Sequence, residues 1–173
     1  MSAHLPEDIS VFDACWVDED FHARYDVKEK EYIYRIYNSP VRNPFELNRS
    51  AHVPCRIDDE GLARMNFAAE RLVGTKDFSA YMAQGSTVAS TVRTITLARV
   101  EREGDVLVFR VAADGFLYNM VRILAGTLLD VGSGKLLPEE IDRITEGRDR
   151  AAAGMTMPAC GLYLNRVDYG TKF

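Results

Sequence analysis

Lysine and arginine are missing from the first 23 residues, which carry Glu7, Asp8, Asp13, Asp18, Glu19 and Asp20 instead. The opening MSAHLPEDISVFDACW therefore has no basic n-region and no apolar core, and it does not read as a signal peptide. No apolar run approaches the roughly 20 residues that a bilayer helix needs. A cytoplasmic protein with no membrane partner is expected. Cysteine is scarce: Cys15, Cys55 and Cys160 are odd in number and far apart. No CxxC or CxxH pair exists, and His4, His22 and His52 make no ligand spacing. That pattern argues for buried or half-buried thiols and no metal. Surplus positive charge is missing too, since the formal net charge is −5. Phosphate binding is carried by Lys and Arg, so the total weighs against a polyanion partner. The distribution weighs the other way. Residues 24–49 hold Arg24, Lys28, Lys30, Arg35, Arg42 and Arg49 against Asp26, Glu29, Glu31 and Glu46. A local basic face inside an acidic total is compatible with RNA.

What is present suffices for one ordinary domain: 173 residues, 47% hydrophobic and 27% charged. There is no internal repeat or low-complexity tract. Residues 1–20 read as a lead-in with one short strand around ISVFDACWV. In EYIYRIYN, Tyr32, Tyr34 and Ile36 alternate with Ile33, Arg35 and Tyr37, which predicts a strand over 31–38. Residues 39–57, with Pro40, Pro44 and Pro54, read as an irregular loop. Asp58 or Asp59 is placed to cap a helix with an apolar stripe of Leu62, Met65, Ala69 and Leu72, ended by Gly74. GTKDF reads as ordinary loop and strand text. TVRTITLARVERE and VLVFRVAA, joined by a turn at Gly104, predict a hairpin. Leu117, Met120, Val121, Leu124, Leu128 and Val131 fall at helical spacing, so a helix is expected from near Gly115 to Gly132. PEEIDRITEG predicts a short helix, and GLYLNRVDY a closing strand. The sum is an α+β fold, with helices on one face of a mostly antiparallel sheet and a layout close to ferredoxin-like.

Few residues stand out chemically. Arg122 falls in the second turn of the helix expected from Gly115, amid Met120, Val121, Ile123 and Leu124. One reading is an arginine whose stem covers apolar surface while its head reaches water. The other is a counter-ion: a guanidinium is always charged and binds a carboxylate in a planar fork. Tyr32 has two readings as well. It is a sheet residue, or it stacks an unpaired base while Arg24, Lys28 and Lys30 hold phosphate. In FHAR, His22 and Arg24 lie two apart and would share one side of a strand; by themselves they read as a surface pair.

Taken together, FHARYDVKEKEYIYRIYN, GTKDFSAY, TVRTITLARVE, GFLYNMVRILAGTLLDVGSG and GMTMPACGLYLNRVDY, in this order, resemble the C-terminal part of the tRNA pseudouridine synthase A family. The resemblance runs from LPEDISV to VDY. It implies an isomerase that converts uridine to pseudouridine in the tRNA anticodon stem-loop. It also implies no cofactor, no metal, and a homodimer with RNA lying across both subunits. The family's base-stacking tyrosine falls on Tyr32, whose hydroxyl would assist proton transfer at carbon 5 of uracil. Its motif arginine, paired in the family with the catalytic aspartate, falls on Arg122. The GLYL block puts Leu162 in the closing strand beside the cleft, and His22, Arg24, Lys28 and Lys30 are assigned with it to the substrate. Two departures are small: Lys76 stands where the family often has histidine, and Met157 where it often has alanine. One is large. The family's Arg-Thr-Asp-Ala-Gly-Val-His type of motif is not in these residues, and neither Asp26 nor Asp114 stands in its context. Residues 1–20 then correspond to the connection between the family's two halves and 21–173 to its C-terminal domain. The expectation is a truncated chain that is inactive by itself for want of the aspartate. The alternative is a non-catalytic RNA-binding or oligomerisation domain.

Overall fold

The structure is a computed structural model that describes residues 4–11, 13–85 and 87–170. The alternation read in EYIYRIYN builds the strand around which the sheet is arranged, β1 (Glu29–Asn38). Along one side it pairs antiparallel with β5 (Val106–Ala113). Its other side is shared. The first half pairs antiparallel with β6 (Leu162–Asp168), and the last residues pair parallel with a short β2 (Ala51–Val53). β4 (Val92–Glu103) returns against β5 through a turn at Gly104 (φ +62°), and β3 (Gly74–Asp77) adds the far edge. The described sheet thus runs β2-β1-β5-β4-β3 with β6 also on β1, and only the β1–β2 pair is parallel.

Register decides the two faces. Tyr34 lies opposite Phe109, Ile36 opposite Leu107, and Phe109 opposite Val100, all buried. This face carries the core, against α1 (Asp59–Glu70), α2 (Met120–Gly132) and α3 (Glu140–Gly147). Met65, Leu72, Ile123, Leu124 and Ile141 fill the space between. On the opposite face Arg35 and Glu101 flank Val108 in register, and Val108 is buried. Arg35 pairs with Glu103 and Glu46, and Arg110 with Glu101 and Glu103.

α1 starts where an aspartate meets its free amides: an Asp58 Oδ1 atom accepts the Gly61 N–H at 2.7 Å, and Asp59 and Glu60 sit in the first turn. Asn38 closes the bottom of β1. It is fully buried; its Oδ1 accepts the Ile57 N–H at 2.8 Å, and its Nδ2 donates to the carbonyls of Cys55 and Val53 at 2.8 and 3.2 Å.

Several expectations are corrected. The described residues among 4–20 form turns and exposed coil, with no strand around ISVFDACWV; Phe12 lies outside the described residues. The loop over 39–57 contains β2, and GTKD is a full edge strand. α1 ends at Glu70, and Gly74 (φ +108°) opens β3 instead of stopping the helix. FHAR is not extended: the N–H groups of Tyr25 and Asp26 both donate to the His22 carbonyl, a tight turn. Cys15 and Cys55 are exposed, and only Cys160 is half-buried.

Candidate active site

The segment GFLYNMVR does not enter its helix at Gly115. Asn119 takes a left-handed conformation (φ 59°, ψ 11°), which asparagine tolerates better than most residues. α2 begins at the next residue, so Arg122 lies in its first turn and not its second. There the guanidinium is held twice. Nε donates to the Met157 carbonyl at 2.6 Å, and an NH1 hydrogen bond reaches Asn119 Oδ1 at 2.9 Å. The Met157 N–H returns to the Arg122 carbonyl at 3.2 Å. Arg122 makes no ion pair with a carboxylate among the described residues. It is half-buried, and neither partner carries a full charge.

The acceptor at Met157 is placed by a backbone-to-backbone contact. Gly126 on α2 faces the Met155 carbonyl so closely that a Cβ would overlap it. A Cβ on Gly154 would stand 2.5 Å from the Thr127 nitrogen. Thr127, fully buried, accepts the Gly154 N–H at 2.9 Å while its hydroxyl donates to the Ile123 carbonyl. Beyond Met157, Tyr34 donates its hydroxyl to the Pro158 carbonyl at 2.5 Å. Burial pushes the Tyr34 phenol well above its usual range, the nearby Cys160 adds to this, and Arg122 offsets part of it. Tyr34 is therefore a fixed donor and not a proton carrier.

Beside this platform is a groove of about 340 Å³. Tyr32 from β1, Leu162 from the start of β6, Arg24, Phe116 and Asn119 all line it. That volume lies at the small end of ligand sites. Phe116 stands edge-on to the Tyr32 ring, with centroids 5.1 Å apart and planes at 83°, a geometry that fixes the tyrosine while leaving it half-buried. Asn119 joins the two parts: it lines the groove and holds Arg122.

The structure thus brings together Arg24, Tyr32 and Leu162 and sets them one residue's contact from Arg122. Lys30 lines an adjoining basin, which also includes Arg24. His22 and Lys28 line neither. His22 Nδ1 accepts the Arg24 N–H at 3.1 Å and its ring lies 4.4 Å from that of Tyr25, while Lys28 is exposed and donates its N–H to Asp168. Phe116 and Asn119 were not read from the sequence as site residues. GFLYN offered an aromatic and an asparagine at a helix entry, but only the left-handed turn aims them. Among the described residues no group of three or more His, Cys, Asp and Glu is placed to hold a metal ion. Likewise no described helix is long and apolar enough to cross a membrane.

Comparison with known proteins gives the chain's family. The family model described as tRNA pseudouridine synthase matches residues 68–170. A tRNA pseudouridine synthase A of Acetivibrio thermocellus is 48% identical over 165 residues, covering 95% of this chain and 66% of that protein. Proteins of the same name from Shouchella clausii and Halalkalibacterium halodurans are 45% and 46% identical over 170 and 166 residues, covering 98% and 96% of this chain. The chain spans 64% and 62% of those two relatives' own lengths. The family match reaches from α1 through β6 and takes in α2 with Arg122, the loop that anchors it and the Leu162 wall; on these grounds the chain belongs to the tRNA pseudouridine synthase family.

Proposed function

We propose that this chain supplies the base-stacking and arginine side of a tRNA pseudouridine synthase site, which isomerises uridine to pseudouridine in the anticodon stem-loop. The observation that carries this is Arg122: a half-buried guanidinium held by two neutral acceptors beside an aromatic groove, with no carboxylate partner among the described residues. The reaction is redox-neutral. The bond from the sugar carbon to N1 of uracil breaks, a bond to carbon 5 forms, the hydrogen at carbon 5 leaves and N1 gains one. The base must first leave its stack. Tyr32, fixed by Phe116, would stack on it, and its hydroxyl would assist the proton change at carbon 5. Arg122 would keep an incoming aspartate ionised and aimed, since an opposite charge within ~4–6 Å lowers a carboxylate pKa by about 1–3 units. That aspartate belongs to a polypeptide segment other than these residues, and the RNA would lie across two copies of the complete enzyme.

The test is release of tritium from carbon 5 of uracil in labelled tRNA. The chain alone should release little. With a polypeptide carrying the family's aspartate motif, release should begin, and Arg122→Ala should then reduce turnover far more than RNA binding. Turnover by the chain alone would require a different nucleophile. Equal loss of binding and turnover in Arg122→Ala would remove the counter-ion role.

A further inference from the structure

Next to the Tyr32 groove is a second basin of about 420 Å³. The two share Arg24, Val88 and Phe116, so Phe116 is a common wall between them. The second basin adds Tyr25, Lys30, Arg93 and Asp114. Some arginines elsewhere are matched to carboxylates, as in the Arg35, Arg99 and Arg110 network with Glu101 and Glu103, and others, such as Arg102, Arg122 and Arg150, rest on neutral acceptors. Acid is not in short supply, since the net charge is −5. Yet Arg24, Lys30 and Arg93 form no ion pair among the described residues. Asp114, in the same basin, turns its Oδ1 to the Thr94 N–H at 3.0 Å. Arg93 is fixed without neutralisation: its stem lies against Gly115, and its NH1 donates to the carbonyls of Ser90 and Val92 at 3.0 and 2.6 Å. Tyr25 is 74% exposed, with the Arg24 guanidinium 5.8 Å from its ring centre.

Unmatched cations, with Arg93 anchored among them, around an exposed aromatic ring form the constellation that takes a nucleotide: phosphate on the cations, base on the ring. An acidic peptide would satisfy the cations but would leave Tyr25, Val88 and the Phe116 wall without a role. We propose that this basin is a second nucleotide subsite, in which Tyr25 stacks the base next to the uridine and Lys30 and Arg93 hold its phosphate. The proposal rests on the reading of the Tyr32 groove as the uridine site, and Arg24 is the residue common to both.

Amide NMR of the chain separates the two readings. Uridine 5′-monophosphate should shift resonances around Tyr32, Phe116 and Leu162 only; a uridine-centred trinucleotide should extend the shifts to Tyr25, Lys30 and Arg93. Tyr25→Leu should weaken the trinucleotide about 5- to 150-fold, the range for loss of one base stack, and leave the mononucleotide unchanged. Arg93→Gln should lower the salt slope of trinucleotide binding by about 0.7, one phosphate contact on a single strand. A trinucleotide that perturbs only the Tyr32 groove would overturn the second subsite and leave the first intact. Shifts in neither basin would overturn both. Equal competition by an oligoglutamate peptide would reduce the basin to a general anion surface and overturn the nucleotide assignment.

Discussion

Gly154→Ala tests whether the Arg122 platform is set by close backbone contact. A Cβ there would meet the Thr127 nitrogen at 2.5 Å, the Gly126 carbonyl carbon at 2.6 Å and the Thr127 Cα at 2.7 Å. Carbon atoms at rest lie about 3.5–4.0 Å apart, so the overlap is near 1 Å, and every atom met is backbone in the middle of α2. None can swing aside. The loop must retreat, and the Gly154 N–H then loses Thr127 Oγ1, now at 2.9 Å in a buried site. Overpacking of this kind costs about 1–3 kcal/mol, and a buried donor left unmatched costs about 1–3 kcal/mol more. The expected loss is about 2–6 kcal/mol. Gly147→Ala is the control: it ends α3, nothing lies within 4 Å of its Cβ, and its φ is not left-handed. That change should be neutral or slightly stabilising. Urea unfolding followed by far-ultraviolet circular dichroism reads both through the midpoint at constant slope. A Gly154→Ala midpoint equal to wild type would refute the close-contact account, and with it the reason Met157 sits where Arg122 can reach it.

Two further changes probe the scaffold. Asn38→Ala removes the acceptor of the Ile57 N–H and the donor to Cys55 and Val53, and should cost about 2–4 kcal/mol in the same unfolding assay, since buried partners are left unmatched. Asp77 is held below its ordinary 3.8 by hydrogen bonds from Thr91 and Ser79 and by Arg148, against a smaller opposing effect of burial. The folded protein therefore binds that proton less readily than the unfolded chain. Asp77 contributes stability above pH 3.8 that is lost as the pH falls through its folded value. Unfolding midpoints of wild type and Asp77→Asn should differ at neutral pH and converge on acidification.

Much of the fold was legible because β1, β4, β5 and both longer helices carry their own periodicity. Tyr32, Tyr34 and Ile36 share the core face as the alternation requires, and the β4–β5 hairpin turns at Gly104 as read. β2 and β3 escaped because they have only three and four residues; such strands exist by pairing with a partner and not by pattern. The site was legible in part. Arg122 and Tyr32 stood out, a charge in an apolar segment and an aromatic among cations. Their surroundings did not. The helix start was misplaced because apolar residues at helical spacing precede the left-handed turn at Asn119, and no periodicity marks a change of φ sign. The carbonyl of Met157 and the Gly126–Gly154 contact are backbone features, invisible to any reading of side-chain type.

Asn119 is the position at which stability and activity should part. The first turn of α2 holds no acidic residue and no side chain caps it, so the positive end of the helix and Arg122 place positive charge together. That costs about 0.3–1 kcal/mol at a helix start and favours any anion that arrives. Asn119→Asp puts a carboxylate where Oδ1 already accepts NH1 at 2.9 Å. It should neutralise the spot and hold or raise stability by up to about 1 kcal/mol, less the poorer fit of aspartate to a left-handed backbone. The same carboxylate would compete with the incoming aspartate for the guanidinium. In the assembled enzyme turnover should fall more than tenfold, with tRNA binding little changed, a coupling equivalent to at least about 1.4 kcal/mol. Asn119→Gly keeps the backbone conformation and removes the tether, so it should lose activity without the gain in stability. If Asn119→Asp turned over as fast as wild type, Arg122 would not be the group that receives the acid.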